Sequence, residues 1–314
     1  MGMESMNKYV LRQSLLLLLT AAIWGFAFVA QSVGMEYIGS FTFNAVRNLL
    51  AVVVLIPCIA VMNKIGARAK DVDKENGKVV NKKEQGSNKT LIIGGICCGT
   101  LLCIASNLQQ FGLKQTTVGK TGFITTMYIV LVPILGIFLK KKVAGRVWVS
   151  VVIAVAGLYM LCMTGGGFYL QKGDALVMLC AVVFSIHILT IDYFAQKVDG
   201  VKMACIQFFV CSLLSAICML IFEEPKLELI LQAWLPILYA GVMSCGVGYT
   251  LQIVGQKGMN PTVASLILSL ESVISVIAGW AILGQALSVR ELIGCGLMFI
   301  AIVLVQLPER EKGI

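Results

Sequence analysis

Charge is scarce in this chain. Only 13% of its 314 residues are Asp, Glu, Lys or Arg, and 25 basic plus 16 acidic side chains are too few to cover the aqueous surface of a soluble protein this long. Histidine is nearly missing, with His187 as its one instance. The eleven cysteines supply no zinc pattern: Cys97, Cys98 and Cys103 lack CxxC spacing and histidine company. All eleven fall in apolar runs, so they read as small packing residues and not as a disulfide framework. No metal and no cofactor are expected. A GxxxxGK[ST] loop is absent and the polar segments are too short for an ATPase domain, which excludes direct use of ATP. The net charge of +9 comes without a basic amphipathic face interleaved with aromatics, which argues against a nucleic-acid partner.

What the chain does have is apolar length. Hydrophobic residues make up 58% of it, and the mean hydropathy is +0.90. A helix rising about 1.5 Å per residue needs about 20 apolar residues to cross a hydrocarbon core of about 30 Å. Ten such runs are expected, near 12–33, 40–62, 91–111, 118–139, 146–164, 174–193, 202–222, 233–253, 261–282 and 289–307. They are continuously apolar and show no period of two, so the fold class is an all-α membrane protein and not a barrel. The first run continues through Trp24-Gly25-Phe26, too long for a signal peptide, and is expected to be retained. Basic residues cluster between alternate runs, with Lys64 to Lys89 and Lys140 to Arg146 as the densest groups. Because Lys and Arg resist translocation, both termini are expected in the cytoplasm. Residues 63–89, rich in Lys, Asn, Gly and Glu, are expected to form a flexible basic cytoplasmic loop.

The chain also repeats itself. Leu108-Gln109-Gln110-Phe111-Gly112-Leu113-Lys114 matches Leu251-Gln252-Ile253-Val254-Gly255-Gln256-Lys257 at an offset of 143. Thr117-Val118 and Thr262-Val263 follow the two copies. Earlier runs match at an offset of 160, which sets Trp24 opposite Phe184 and Arg47 opposite Gln207. The two units are 11–164 and 174–307, five runs each. Five is odd, so the second unit must enter the membrane from the opposite side, giving inverted repeats suited to alternating access.

The residues now on the page resemble the drug/metabolite transporter superfamily, its EamA-type members in particular, over nearly the whole chain. The likeness rests on Ala22-Ile23-Trp24-Gly25, on Arg47, on Gly122-Phe123-Ile124-Thr125 through Val132-Pro133, and on Ser269-Leu270-Glu271-Ser272, Gly279-Trp280 and Leu283-Gly284-Gln285. The family usually has Glu-Pro where this chain has Glu271-Ser272, and Gly-Glu where it has Gly284-Gln285 or Lys140-Lys141-Lys142. The resemblance implies a carrier of amino acids, nucleobases, drugs or other metabolites, often outward, with spans one, three, four, six, eight and nine around the cargo.

An ionisable group in hydrocarbon costs several kcal/mol unless a partner or polar cavity meets it, so the intramembrane charges lead the site candidates. Glu271, near the middle of the ninth run, is a coupling candidate for a proton or another ion. His187 is the second, by its ability to titrate near neutrality. Arg47 is expected to be a structural intramembrane charge. Trp24, Asn107, Gln110, Thr125, Tyr128, Tyr249 and Ser269 are the candidates for a substrate cavity, since uncharged polar groups and aromatics on helix faces suit an organic cargo.

The reading reached is a secondary transporter in a bacterial-type plasma membrane, exporting a small metabolite, with the lipid bilayer and the solute as partners and a monomer or homodimer as its state. Two alternatives stay open: a membrane-embedded enzyme using His187 and Glu271 as acid and base, and an importer or facilitator of the same fold.

Overall fold

The computed structural model describes residues 3–75, 87–115, 118–140, 143, 145–162, 172–283 and 289–306, and within them every regular element is helical. In chain order these are α1 (Met3–Gly34), α2 (Ser40–Glu75), α3 (Asn88–Leu113), α4 (Val118–Thr125), α5 (Tyr128–Phe138), α6 (Gly145–Cys162), α7 (Lys172–Ala195) and α8 (Gly200–Phe222). Then come α9 (Leu227–Gln232), α10 (Trp234–Leu238), a π-helical stretch (Tyr239–Tyr249), α11 (Thr250–Gln256), α12 (Pro261–Leu268), α13 (Leu270–Leu283) and α14 (Val289–Gln306).

Seven helical columns among the described residues are long and apolar enough to cross a membrane: Lys8–Gly34, Ser40–Lys64, Asn88–Leu113, Lys172–Ala195, Gly200–Phe222, Trp234–Gln256 and Pro261–Ile282. The expected fourth run is split into α4 and α5, and the fifth and tenth correspond to α6 and α14, whose apolar stretches Gly145–Gly157 and Leu292–Ala301 are shorter. Two sequence boundaries need correction. Of the loop expected over residues 63–89, residues 63–75 are instead helical, because α2 continues to Glu75, and Ser87 caps the start of α3 by accepting the Lys89 amide; residues 76–86 lie outside the described residues. Lys141-Lys142 and Gly284-Gln285 lie outside the described residues.

The surface is turned inside out relative to a soluble protein. Val53, Ile56, Leu220 and Phe299 are exposed, while Gln110, Gln207, Ser215 and Thr121 are buried. An apolar exterior around polar contents fits lipid as the solvent and a multi-pass membrane protein.

Several packings between the first and second parts of the chain recur with the partners exchanged. α3 packs on α7 as α11 and the π stretch pack on α1; α3 meets α8 as the π stretch meets α2. α7 lies against α4 and α5 as α1 lies against α12 and α13. Glycines set these approaches. A Cβ at Gly112 would sit 2.3 Å from Val177, and one at its counterpart Gly255 would sit 2.9 Å from Leu17, which is the counterpart of Val177. Likewise Gly99 meets the Gln207 carbonyl and Val210, and Gly241 meets the Arg47 carbonyl and Leu50.

That last correspondence has an offset of 142, one less than the 143 of the repeated heptapeptide. The second half therefore carries one extra residue between Gly241 and Gln252. The column absorbs it by widening to π geometry over Tyr239–Tyr249, the ordinary way for a helix to hold an insertion without shifting its flanks.

The helix ends meet in two groups. At one end the Tyr9 hydroxyl donates to the Lys257 carbonyl at 2.7 Å, and residues 195–201 border a depression of about 540 Å³ together with Ile253, Val254 and Lys257. At the other, residues 35–39, Lys114 and Glu223 to Lys226 surround a depression of about 380 Å³.

Candidate functional site

Two counterpart columns break in their middles, and neither break falls on glycine or proline. Between α4 and α5 the Thr126 hydroxyl donates to the Gly122 carbonyl at 2.9 Å, and the Met127 and Ile129 amides fall back to carbonyls three residues earlier. Pro133 follows in α5 and leaves the Ile129 carbonyl without its helical donor. Between α12 and α13 serines do the same work: Ser265, Ser269 and Ser275 each donate to the carbonyl three residues back, at 2.7–2.9 Å. Hydroxyls that bond nearby carbonyls compete with the helical ladder and loosen it.

The breaks face each other. Tyr128, the first residue of α5, donates its hydroxyl to Glu271 Oε1 at 2.9 Å, and the two are 143 positions apart, the offset of the repeat itself. Beside this bond Ser272 donates to the Thr126 hydroxyl at 3.0 Å. Gly25 of α1 lets the α12–α13 column close in: a Cβ there would be 2.6 Å from Ile274 and 2.9 Å from the Glu271 carbonyl.

A cavity of about 40 Å³ lies next to the Tyr128–Glu271 bond. Its wall comprises Trp24, Ala27, Phe28, Gln31, Arg47, Gln109, Thr125, Tyr128, Phe184, Ile188, Ser244, Tyr249, Gln252 and Glu271. Such a volume holds a few waters, well short of the several hundred Å³ that an organic ligand needs, so a cargo must widen it. Trp24 and Tyr249 stand with ring centroids 4.5 Å apart, and the Trp24 indole donates to the Ser244 carbonyl at 3.3 Å. Gln109 donates to Thr125 at 3.1 Å.

Of the residues singled out in the sequence, Trp24, Thr125, Tyr128, Tyr249, Glu271 and Arg47 border this one cavity. The other four do not. Asn107 lies in a separate buried network, its side-chain oxygen accepting from Asn44 at 2.8 Å and its nitrogen reaching Ser215 at 3.3 Å. Gln110 is one layer behind, its Nε2 3.5 Å from the Gln31 oxygen. Ser269 spends its hydroxyl on the Leu266 carbonyl, within its own column. His187 is fully buried against Gln207, Nε2 to Oε1 2.9 Å, with the Tyr249 ring 6.2 Å away at its flank.

Sequence reasoning missed Ala27, Phe28, Gln31, Gln109, Phe184, Ile188, Ser244 and Gln252. A signal existed for five of these eight. The offsets that define the repeat pair Trp24 with Phe184, Phe28 with Ile188 and Gln109 with Gln252, all on the wall. In the repeated heptapeptide it is Gln109, not Gln110, whose glutamine recurs.

Comparison with known proteins agrees with this architecture. The model of the EamA-like transporter family matches residues 11–163 and again 171–307. A protein of Archaeoglobus fulgidus named uncharacterized transporter is 28% identical over 292 residues, 93% of this chain and 84% of that protein. A Clostridium kluyveri protein of the same description is 23% identical over 216 residues, 66% of this chain and 70% of its own. One solved crystal structure superposes with a TM-score of 0.73 at 17% identity, covering 94% of this chain and 96% of that one, a likeness of fold alone.

Proposed function

The chain belongs to the EamA-like transporter family, and from that premise we propose a secondary active transporter that exports a small metabolite by alternating access through the Trp24–Glu271 cavity. The observation that carries the proposal is the make-up of the wall. Four pairs of counterpart positions contribute to it: Trp24 with Phe184, Phe28 with Ile188, Gln109 with Gln252, and Tyr128 with Glu271. A wall built from counterparts lies on the axis that relates the halves, so exchanging the conformations of the halves opens the same cavity to the other side.

Ten spans in two inverted repeats, with cytoplasmic termini, complete the reading. It is supported by the start of α1 and the end of α7 gathering at the Lys257 end, since counterpart helices then run in opposite senses. Glu271 is the coupling candidate, being the acidic residue on the wall. His187, bonded to Gln207 and absent from that wall, loses its place as a second titrating partner, and the acid–base enzyme reading loses support with it.

Reconstitution in liposomes tests the proposal, with uptake of amino acids, nucleobases and cationic drugs measured with and without a pH gradient. Saturable flux of at least one solute is expected; flux equal to that of protein-free vesicles for every solute refutes transport. A Glu271→Gln protein that keeps the pH-gradient dependence removes the coupling role. Labelling of Gly200→Cys and Gly258→Cys from opposite sides of the membrane would sink the inverted topology.

A further inference from the structure

The two halves treat one buried place differently. In the second half His187 and Gln207 fill it and bond to each other at 2.9 Å. The counterparts at the same offset of 160 are Ala27 and Arg47, and both border the cavity. The equivalence of Arg47 with Gln207 is visible in the packing, because Gly241 abuts the Arg47 carbonyl as Gly99 abuts that of Gln207. The first half thus has a methyl group where the second has an imidazole, and a cation where the second has an amide.

Arg47 is 4% exposed, and among the described residues its side chain has no hydrogen-bond acceptor and no carboxylate; its Nε is buried and unbonded. Its guanidinium carbon lies 5.5 Å from the centre of the Phe43 ring, and the neutral side chains of Cys211, Cys245 and Tyr249 are also within its electrostatic reach. An arginine kept for structure would be bonded to carbonyls or to an acid, since a lone charge in a low-dielectric interior is costly. Glu271 stands on the same wall without forming an ion pair with it, and the bond its Oε1 accepts comes from the neutral Tyr128 hydroxyl. A guanidinium with free donors, beside space left by a missing ring, matches the fork geometry of a carboxylate.

We propose that the cavity selects cargo bearing a carboxylate, held by Arg47 next to Ala27. The inference rests on the reading of this cavity as the cargo site. It sets an acidic or zwitterionic metabolite above nucleobases and purely cationic drugs.

The test compares acids with their primary amides, which match them in shape without the charge. Binding of 3-phenylpropionate, leucine and phenylalanine, each against its amide, is measured on the purified protein in detergent by calorimetry and by shift of the unfolding midpoint. At least one acid is expected to bind tenfold or more tighter than its amide, the scale of one charge-assisted bond. Arg47→Gln should bring that ratio to within about twofold. The double variant Ala27→His with Arg47→Gln copies the arrangement of the second half; it should keep the parent unfolding midpoint and bind the acid no better than the amide. Amides binding as tightly as acids, an acid preference that survives Arg47→Gln, or no binding of any acid overturns the inference. Liposome flux separates the two readings: if a neutral or cationic solute is carried while the acid preference fails, transport stands and carboxylate selection falls.

Discussion

The first turns of α2 and α8 occupy counterpart places and are capped by different routes. Asp199 caps its own helix, its carboxylate accepting the Val201 and Lys202 amides at 3.0 and 3.1 Å. Its counterpart in the first half is Gly39, which has no side chain to offer. The carboxylate there comes from Glu223, just past the far end of α8, and accepts the Phe41 and Thr42 amides at 3.0 and 2.8 Å and the Thr42 hydroxyl at 2.7 Å. A Cβ on Gly39 would lie 2.1 Å from the Glu223 carboxyl carbon, so the glycine is what admits it. A local cap steadies one helix; a borrowed cap also ties the two halves together.

The opposite end has a tie of its own. Gln13 donates to the Val254 and Lys257 carbonyls at 2.9 and 3.0 Å, joining α1 to the end of α11. Its counterpart, Gly173, has no side chain. Helix packing is therefore shared between the halves while the closures at the two ends are individual, which lets each end be tuned without disturbing the scaffold.

The largest effect is expected where packing itself is unequal. At Gly112 an added methyl group meets the Gly173 carbonyl at 2.9 Å as well as Val177, whereas at Gly255 the nearest backbone atom is 3.4 Å away and the side chain met is the flexible tip of Leu17. Gly112→Ala should cost about 1–3 kcal/mol by overpacking and Gly255→Ala less than half as much, read from unfolding midpoints in detergent. Equal losses would show that the two approaches are alike after all.

The caps come next. Glu223→Ala should cost about 1–2 kcal/mol and Asp199→Ala about 1 kcal/mol, by loss of charged N-terminal acceptors. Gly39→Asp should recover most of the loss in the Glu223→Ala background, where it supplies the local cap of the second half, and should be harmful in the parent protein, where it collides with Glu223. Failure of the rescue would mean that Glu223 acts on something other than the start of α2.

A smaller, directional effect separates the ties. Losing a contact worth about 1 kcal/mol shifts a two-state population about fivefold. Glu223→Ala should speed labelling of Ser244→Cys from its own side of the membrane, and Gln13→Ala should speed it from the other. Acceleration from the same side in both variants would contradict opposed closures.

The helical membrane fold was legible in the sequence because continuous apolar length is a direct consequence of a lipid solvent, and the recurring residues could be read off the chain itself. Trp24, Arg47, Tyr128 and Glu271 stood out since charged and large amphipathic residues are costly in lipid. The breaks in α4–α5 and α12–α13 were not legible: no glycine marks them, and serine or threonine in an apolar run signals a helix interior as readily as its interruption. Gln109 borders the cavity, and Asn107 and Gln110 do not, for a geometric reason. Successive helix residues are about 100° apart, so neighbours in the sequence face different surroundings, and only the recurrence of Gln109 as Gln252 carried the information. The π insertion was hidden as well, since one extra residue changes an offset from 142 to 143 without leaving a motif.

The smallest stability effect belongs to the bond at the centre. Tyr128 and Glu271 differ in kind, a neutral donor against an acid, and their 2.9 Å hydrogen bond joins the two breaks. Tyr128→Phe removes only the hydroxyl. Because the carboxylate borders the cavity, water there replaces the lost donor, and the expected cost is under about 1 kcal/mol in unfolding free energy. Under the alternating access proposed above, transport should respond more than stability does, because the bond would have to part as the halves move. If breaking it limits turnover, Tyr128→Phe raises the maximal flux in liposomes while lowering the unfolding midpoint slightly; a slower flux with an unchanged midpoint would instead place the hydroxyl among the groups that hold the cargo.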